Sequence, residues 1–153
     1  MMIYKILKRR LIFFLTLISL FIFIETIFIK ANAEGWVKVD NSWRYYSDTG
    51  VETGWYKSNG NWYFLNEYGA VKTGWLKSEG KYYYLDLNTG KMLTGWIEDK
   101  GKWYYLNSSG EMVTGWLKYK DNLYYLNNSG VMVRDIYIGE YYLGPNGTWE
   151  NRN

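Results

Sequence analysis

The sequence predicts an all-β protein, a solenoid of stacked β-hairpins preceded by a hydrophobic leader helix. Three observations predict it. A Gly-Trp pair returns about every twenty residues, a short aromatic run follows seven residues after each Trp, and the N-terminal stretch is apolar in a way that nothing after it is.

The leader comes first. Lys5, Lys8, Arg9 and Arg10 precede an apolar run from Leu11 to Ile24, broken only by Thr16 and Ser19. Ala31-Asn32-Ala33 then supplies a small-x-small pattern with Glu34 behind it, the order of a secretory signal peptide cleaved after Ala33. The rival reading is an uncleaved anchor, since Leu11 to Ile29 approaches bilayer-spanning length. Glu25 within the stretch and the Ala-x-Ala pattern favour cleavage. The expected division is therefore residues 1–33 as signal peptide and 34–153 as the array. Of the chain's 18 basic and 15 acidic residues, the leader holds five bases and one acid, leaving 13 against 14. The basic isoelectric point belongs to the leader and does not argue for nucleic acid or an anionic membrane as partner.

The array has Gly-Trp at Gly35-Trp36, Gly54-Trp55, Gly74-Trp75, Gly95-Trp96 and Gly115-Trp116, in steps of 19, 20, 21 and 20 residues. A further step lands on Asp135-Ile136, read as a degenerate copy. The runs are Trp43-Arg44-Tyr45, Trp62-Tyr63-Phe64, Tyr82-Tyr83-Tyr84, Trp103-Tyr104-Tyr105 and Leu123-Tyr124-Tyr125. In the repeat from Gly74 to Thr94, Trp75-Leu76-Lys77 and Tyr82 to Leu85 are rich in strand formers, and Ser78-Glu79-Gly80-Lys81 between them is turn chemistry. One hairpin is marginal in water, so each repeat must stack its apolar side on its neighbours. About five and a half repeats result. The end copies are atypical, with Arg44 inside the first run and Trp149 near the close of the last.

Alternation along a strand puts Trp103 and Tyr105 on one face and Tyr104 and Leu106 on the other. An ordinary half-buried sheet would make one of those faces polar. Here both are aromatic, and a twenty-residue repeat has too little interior for all its rings. The remainder predicts binding pockets between successive hairpins, each walled by rings from two repeats. Such a pocket suits a quaternary ammonium, at roughly 0.5–2 kcal/mol per ring, or the C–H face of a sugar. Met92, Met112 and Met132 recur two residues after the loop glycine, and a thioether wall without donors leans toward the cation.

Gly95-Trp96, Gly101-Lys102-Trp103-Tyr104-Tyr105-Leu106, Gly110, Met112 and Thr114-Gly115-Trp116 together closely resemble the choline-binding (cell-wall-binding) repeat. That repeat belongs to surface proteins and murein hydrolases of Gram-positive bacteria and their phages. The resemblance covers about Gly35 to Leu143. It implies choline headgroups of teichoic acids held between hairpins and non-covalent retention on the cell surface. Carried over, the family's cage implies one site of Trp96, Trp103, Met112 and Tyr125, and another of Trp75, Tyr82, Met92 and Tyr105. An earlier site would use Trp55, Trp62 and Tyr84, with Val71 where the Met should be. A last site of Trp116, Met132 and a final-repeat Tyr is weakened by Leu123. Which Tyr of each run faces its pocket stays open.

Catalysis is not expected. The chain has no Cys and no His, which removes thiol nucleophiles, Ser-His-Asp triads, disulfides and the usual zinc ligands. Glu79, Glu98, Asp99, Glu111 and Asp121 read as solvated turn and edge acids, with no pair marked as a glycosidase would need. Lys57, Lys77 and Lys118 read as edge lysines that block strand addition. The expectation is a secreted, wall-attached binding protein without cofactor or metal. Its partner is choline or choline-bearing teichoic acid, with a glycan as the alternative and a second copy of the chain as a further candidate. Stable membrane insertion after cleavage is not expected.

Overall fold

Each repeat becomes a hairpin because its turn residues accept left-handed backbone. The computed structural model describes residues 15, 16 and 35–151. The leader and its cleavage point, apart from the helical Leu15-Thr16, lie outside the described residues. From residue 35 onward the described residues contain no helix; strands, bridges and turns are joined by short irregular links, in two compact units.

The first unit comprises 35–53 with 67–70. Strands β1 (Gly35–Val39), β2 (Ser42–Ser47) and β3 (Gly50–Val51) form an antiparallel sheet in that order. Asp40 and Asn41 turn β1 into β2 with φ of 49° and 63°, the doubly left-handed type I′ turn that matches strand twist. Arg44 bridges Ala70, and its Nε is buried without a hydrogen-bond partner.

The second unit, 54–66 and 71–151, holds four equivalent hairpins and a closing sheet. The hairpins are β4 (Gly54–Ser58) with β5 (Asn61–Leu65), β6 (Gly74–Ser78) with β7 (Lys81–Leu85), β8 (Gly95–Asp99) with β9 (Lys102–Leu106), and β10 (Gly115–Tyr119) with β11 (Asn122–Leu126). Their register repeats. The Gly of Gly-Trp pairs with the Leu that ends the run, the Trp pairs with the third ring, and the residue two past the Trp pairs with the first. β12 (Ile136–Ile138), β13 (Tyr141–Leu143) and β14 (Trp149–Glu150) close the unit as one antiparallel sheet. There Asp135 keeps the positive φ of the glycine column at 52°. Pairing nevertheless sets Ile136 opposite Leu143 and Tyr137 opposite Tyr142. The ring of the last repeat is therefore Tyr137, one residue beyond the position that even spacing predicts.

The core is a ladder of single leucines. Leu65, Leu85, Leu106, Leu126 and Leu143 are all 1% exposed or less. Backbone bonds tie each repeat to the one before it: the N–H groups of Met92, Met112 and Met132 donate to the carbonyls of Trp62, Tyr82 and Trp103 at 2.8 Å. The following residues, Leu93, Val113 and Val133, donate to Tyr84, Tyr105 and Tyr125. Gly110 explains why the loops need glycine. Its φ is +80°, and a Cβ there would sit 2.4 Å from the Met92 sulfur, so the methionine packs flat against the next loop.

Candidate functional site

The register decides which rings meet. In the β4–β5 hairpin, Trp55, Trp62 and Phe64 share one face, and Tyr63 with Leu65 takes the other. The next hairpin presents Tyr83 from its opposite face. Trp55 meets Tyr83 edge-on, with centroids 4.8 Å apart, and meets Trp62 at 6.4 Å. Trp55, Trp62, Tyr83 and Met92 line one cavity of about 490 Å³, rimmed by Glu79, Ser108 and Ser109.

The same contact recurs along the unit. Trp75 meets Tyr104 at 4.7 Å, Trp96 meets Tyr124 at 4.9 Å, and Trp96 lies 6.5 Å from Trp103. The middle rings Tyr83, Tyr104 and Tyr124 thus each meet the Trp of the preceding hairpin. The third ring packs on its own hairpin's Trp: Tyr84 on Trp75, Tyr105 on Trp96 and Tyr125 on Trp116.

The grouping differs from the carried-over one in two respects. Tyr84, Tyr105 and Tyr125 stand one residue away from the rings that meet the preceding Trp, because alternation turns them toward the opposite face. Met92 stands one repeat earlier than the resemblance implied. Met92 lies with Trp55 and Trp62, and the backbone of Met112 bonds Tyr82 while that of Met132 bonds Trp103. Trp55, Trp62, Tyr83 and Met92 thus share one cavity, Trp75 meets Tyr104 with Met112 packed on the same core cluster, and Trp96 meets Trp103 and Tyr124. The first cavity has its methionine after all, and Val71 packs instead against Gly90. The first-run rings remain open to solvent, with Trp62, Tyr82 and Trp103 each 40–42% exposed.

A column of residues three past each Trp supports the indole of the preceding hairpin. Trp55 Nε1 donates to Ser78 Oγ at 3.3 Å, and Trp75 Nε1 donates to Asp99 Oδ2 at 3.2 Å. Asp99 also accepts from the Tyr84 hydroxyl at 3.2 Å. Burial, and then that bond, raise the Tyr84 phenol above its ordinary range; burial does the same for Tyr104. Trp96 instead meets the Tyr119 ring at 6.2 Å. Asp99 is therefore a structural acceptor where a solvated edge acid was expected, whereas Glu79 is the exposed turn acid expected, at the rim of the first cavity. Spacing alone could have marked this column, since it recurs at a fixed offset, but its residue types do not repeat. The lysines sit exposed on edge strands as expected, and two of them also cover rings. Lys57 lies over Trp62 at 5.6 Å from the ring centroid, and Lys77 over Tyr82 at 5.4 Å. At the same place in the next hairpin, Glu98 stands opposite Trp103.

Comparison with family models matches residues 52–94 and 93–137 to the choline-binding repeat, and residues 34–50 to a putative cell wall binding repeat. The chain belongs to the choline-binding repeat family. Choline-binding repeats are cell-wall-associated surface modules of Gram-positive bacteria, and the module is a binding domain. Among solved structures, choline binding protein F from Streptococcus pneumoniae, in the presence of a peptidoglycan analogue, is 38% identical with a TM-score of 0.73. That match covers 78% of this chain and 40% of that one. The modular Cpl-1 endolysin complexed with a peptidoglycan analogue is 37% identical, with a TM-score of 0.55 over 78% of this chain and 38% of its own. The modular autolysin LytC from Streptococcus pneumoniae is 27% identical, with a TM-score of 0.65 over 76% and 28%. The choline-binding repeats here thus span well under half the length of each of these relatives. Comparison with curated proteins gives no match.

Proposed function

We propose that this chain binds choline groups of cell-wall teichoic acids in the cages between its hairpins, and that it catalyses nothing itself. The observation that carries the reading is one ring contact made three times, a Trp against a Tyr of the next hairpin, which in the first cavity is joined by Trp62 and Met92. Converging ring faces attract a quaternary ammonium, and a methionine wall offers no group that would prefer an N–H donor. The family supports choline as ligand, and the peptidoglycan analogues that accompany its relatives support the cell wall as the place where it is met. With residues 1–33 read as a cleaved leader, the protein is secreted and held on the wall without a covalent bond.

The glycan reading keeps one specific support. Glu79, Ser108 and Ser109 rim the first cavity and could take hydrogen bonds from sugar hydroxyls. A single titration separates the two. Millimolar choline is expected to quench tryptophan fluorescence, and soluble glucan is expected to leave it unchanged. Quenching by glucan alone would overturn the choline assignment. Trp103→Ala, which removes one ring worth ~0.5–2 kcal/mol, is expected to weaken choline binding at its own cage about twofold to thirtyfold. Zymography of the purified protein is expected to give no lytic band.

A further inference from the structure

The repeat columns do not stop at the third cage. The residue two past the loop glycine is Met92 after Gly90, Met112 after Gly110 and Met132 after Gly130; after Gly147 it is Trp149. The middle-ring column runs Tyr83, Tyr104, Tyr124 and then Tyr141, because Leu143 occupies the buried leucine position. Trp116 meets Tyr141 edge-on at 5.1 Å and 70°, almost the geometry of Trp96 on Tyr124 at 4.9 Å and 63°. Trp149 stands 5.9 Å from Tyr141. Leu123 fills the first-ring column.

We propose that this last interface, between the β10–β11 hairpin and the closing β12–β14 sheet, is a fourth site for a quaternary ammonium, walled by Trp116, Tyr141 and Trp149. The proposal rests on the choline reading above and extends it to an interface that lacks both a first-run ring and a methionine. Two substitutions offset one another there. Leucine takes away one aromatic face, and Trp149 restores it from the methionine column, so the cage keeps three rings. Trp149 is held in place by more than a loop: it pairs with Leu143 in the closing sheet, and Gly144 N–H donates to the carbonyl of the adjacent Thr148 at 2.8 Å. Trp116, Tyr141 and Trp149 are 40–45% exposed, matching Trp62 and Trp103 and far from the buried state of a packing residue. Glu140 and Glu150 line the adjoining cavity of about 320 Å³ with Tyr141 and Trp149, so the local charge favours a cation.

The test follows indole N–H resonances of the purified chain by nitrogen-15 NMR, assigned with single Trp→Phe variants. Choline chloride is titrated against 3,3-dimethylbutanol, its uncharged carbon analogue. Trp116 and Trp149 are expected to shift with choline and not with the alcohol. Trp149→Ala is expected to abolish the Trp116 shift while Trp55, Trp75 and Trp96 respond unchanged, and Trp149→Met is expected to retain a weaker Trp116 shift. If Trp116 and Trp149 stay still while the other three indoles move, the fourth site is overturned and the three cages stand. An equal response to the alcohol would make the rings an apolar patch and also overturn it. No response at any indole would remove the choline reading and this site together.

Discussion

Three cages with the same rings carry different neighbours, and those neighbours set the charge each ligand meets. Register puts Lys57 across from Trp62, Lys77 across from Tyr82 and Glu98 across from Trp103. An ammonium resting on a ring face already uses part of that ring's attraction for a cation and repels a second one. The Trp96-Trp103 cage, with a carboxylate in that place, is expected to bind choline more tightly than the two with lysines. Glu98→Lys should weaken it severalfold and Lys77→Glu should tighten the Trp75-Tyr82 cage by a similar factor. Per-site NMR titration at low and high salt checks this: the differences should shrink as salt rises, since the charges lie near solvent. Equal affinities at all salt concentrations would mean that the neighbours do not matter. This gradation was not legible in the sequence. The lysines could be seen to recur, but only cross-strand pairing reveals that Lys57 and Lys77 cover rings while Lys118 faces Leu123.

At the scale of the element, the hairpins and their phase were readable, because Gly-Trp, the run and the loop glycine recur at fixed offsets. The alternation of faces was readable too, and it holds: Tyr104 and Leu106 do lie opposite Trp103 and Tyr105. What sequence could not supply was the partner hairpin of each face: Met112, grouped by resemblance with Trp96 and Trp103, packs on the core cluster that also carries Trp75 and Tyr104. The longest step, of 21 residues, owes its extra residue to the second loop of the β6–β7 repeat, Asp86-Leu87-Asn88-Thr89-Gly90, one residue longer than Asn107-Ser108-Ser109-Gly110. Asp86 closes that longer loop by accepting from the Thr89 hydroxyl and N–H, both at 2.7 Å. These bonds, the hydroxyl first, hold its carboxyl below the ordinary range. A folded-state value below the unfolded one adds stability that is present above the unfolded value and is lost as pH falls through the folded one. Thermal unfolding from pH 6 down to pH 2 should therefore show a loss in acid that Asp86→Asn reduces. Asparagine is the residue that already closes the neighbouring loops through Asn107 and Asn127. An acid profile identical in the two proteins would place the loss elsewhere.

For the second unit as a whole, binding and stability share the same interfaces. Each cage takes walls from two successive hairpins, and each buried leucine holds one hairpin against the next. A stack in which every repeat touches only its neighbours behaves as a one-dimensional array, so damage should spread according to position. Removing a fully buried leucine side chain costs about 2–5 kcal/mol. Leu143 belongs to the closing sheet, whereas Leu106 lies at the centre of a cluster with Tyr84 and Ile97, against which Trp75, Tyr104 and Met112 pack. Leu143→Ala is expected to remove hydrogen-exchange protection from β12–β14 and leave β6–β9 protected, with choline responses at Trp55, Trp75 and Trp96 preserved. Leu106→Ala should lower protection on both sides of its hairpin and weaken the Trp75 and Trp96 cages together, although it touches no ligand. Uniform loss of protection in both variants would show instead that the unit unfolds as one block, and that its cages depend on the entire stack and not on neighbouring pairs.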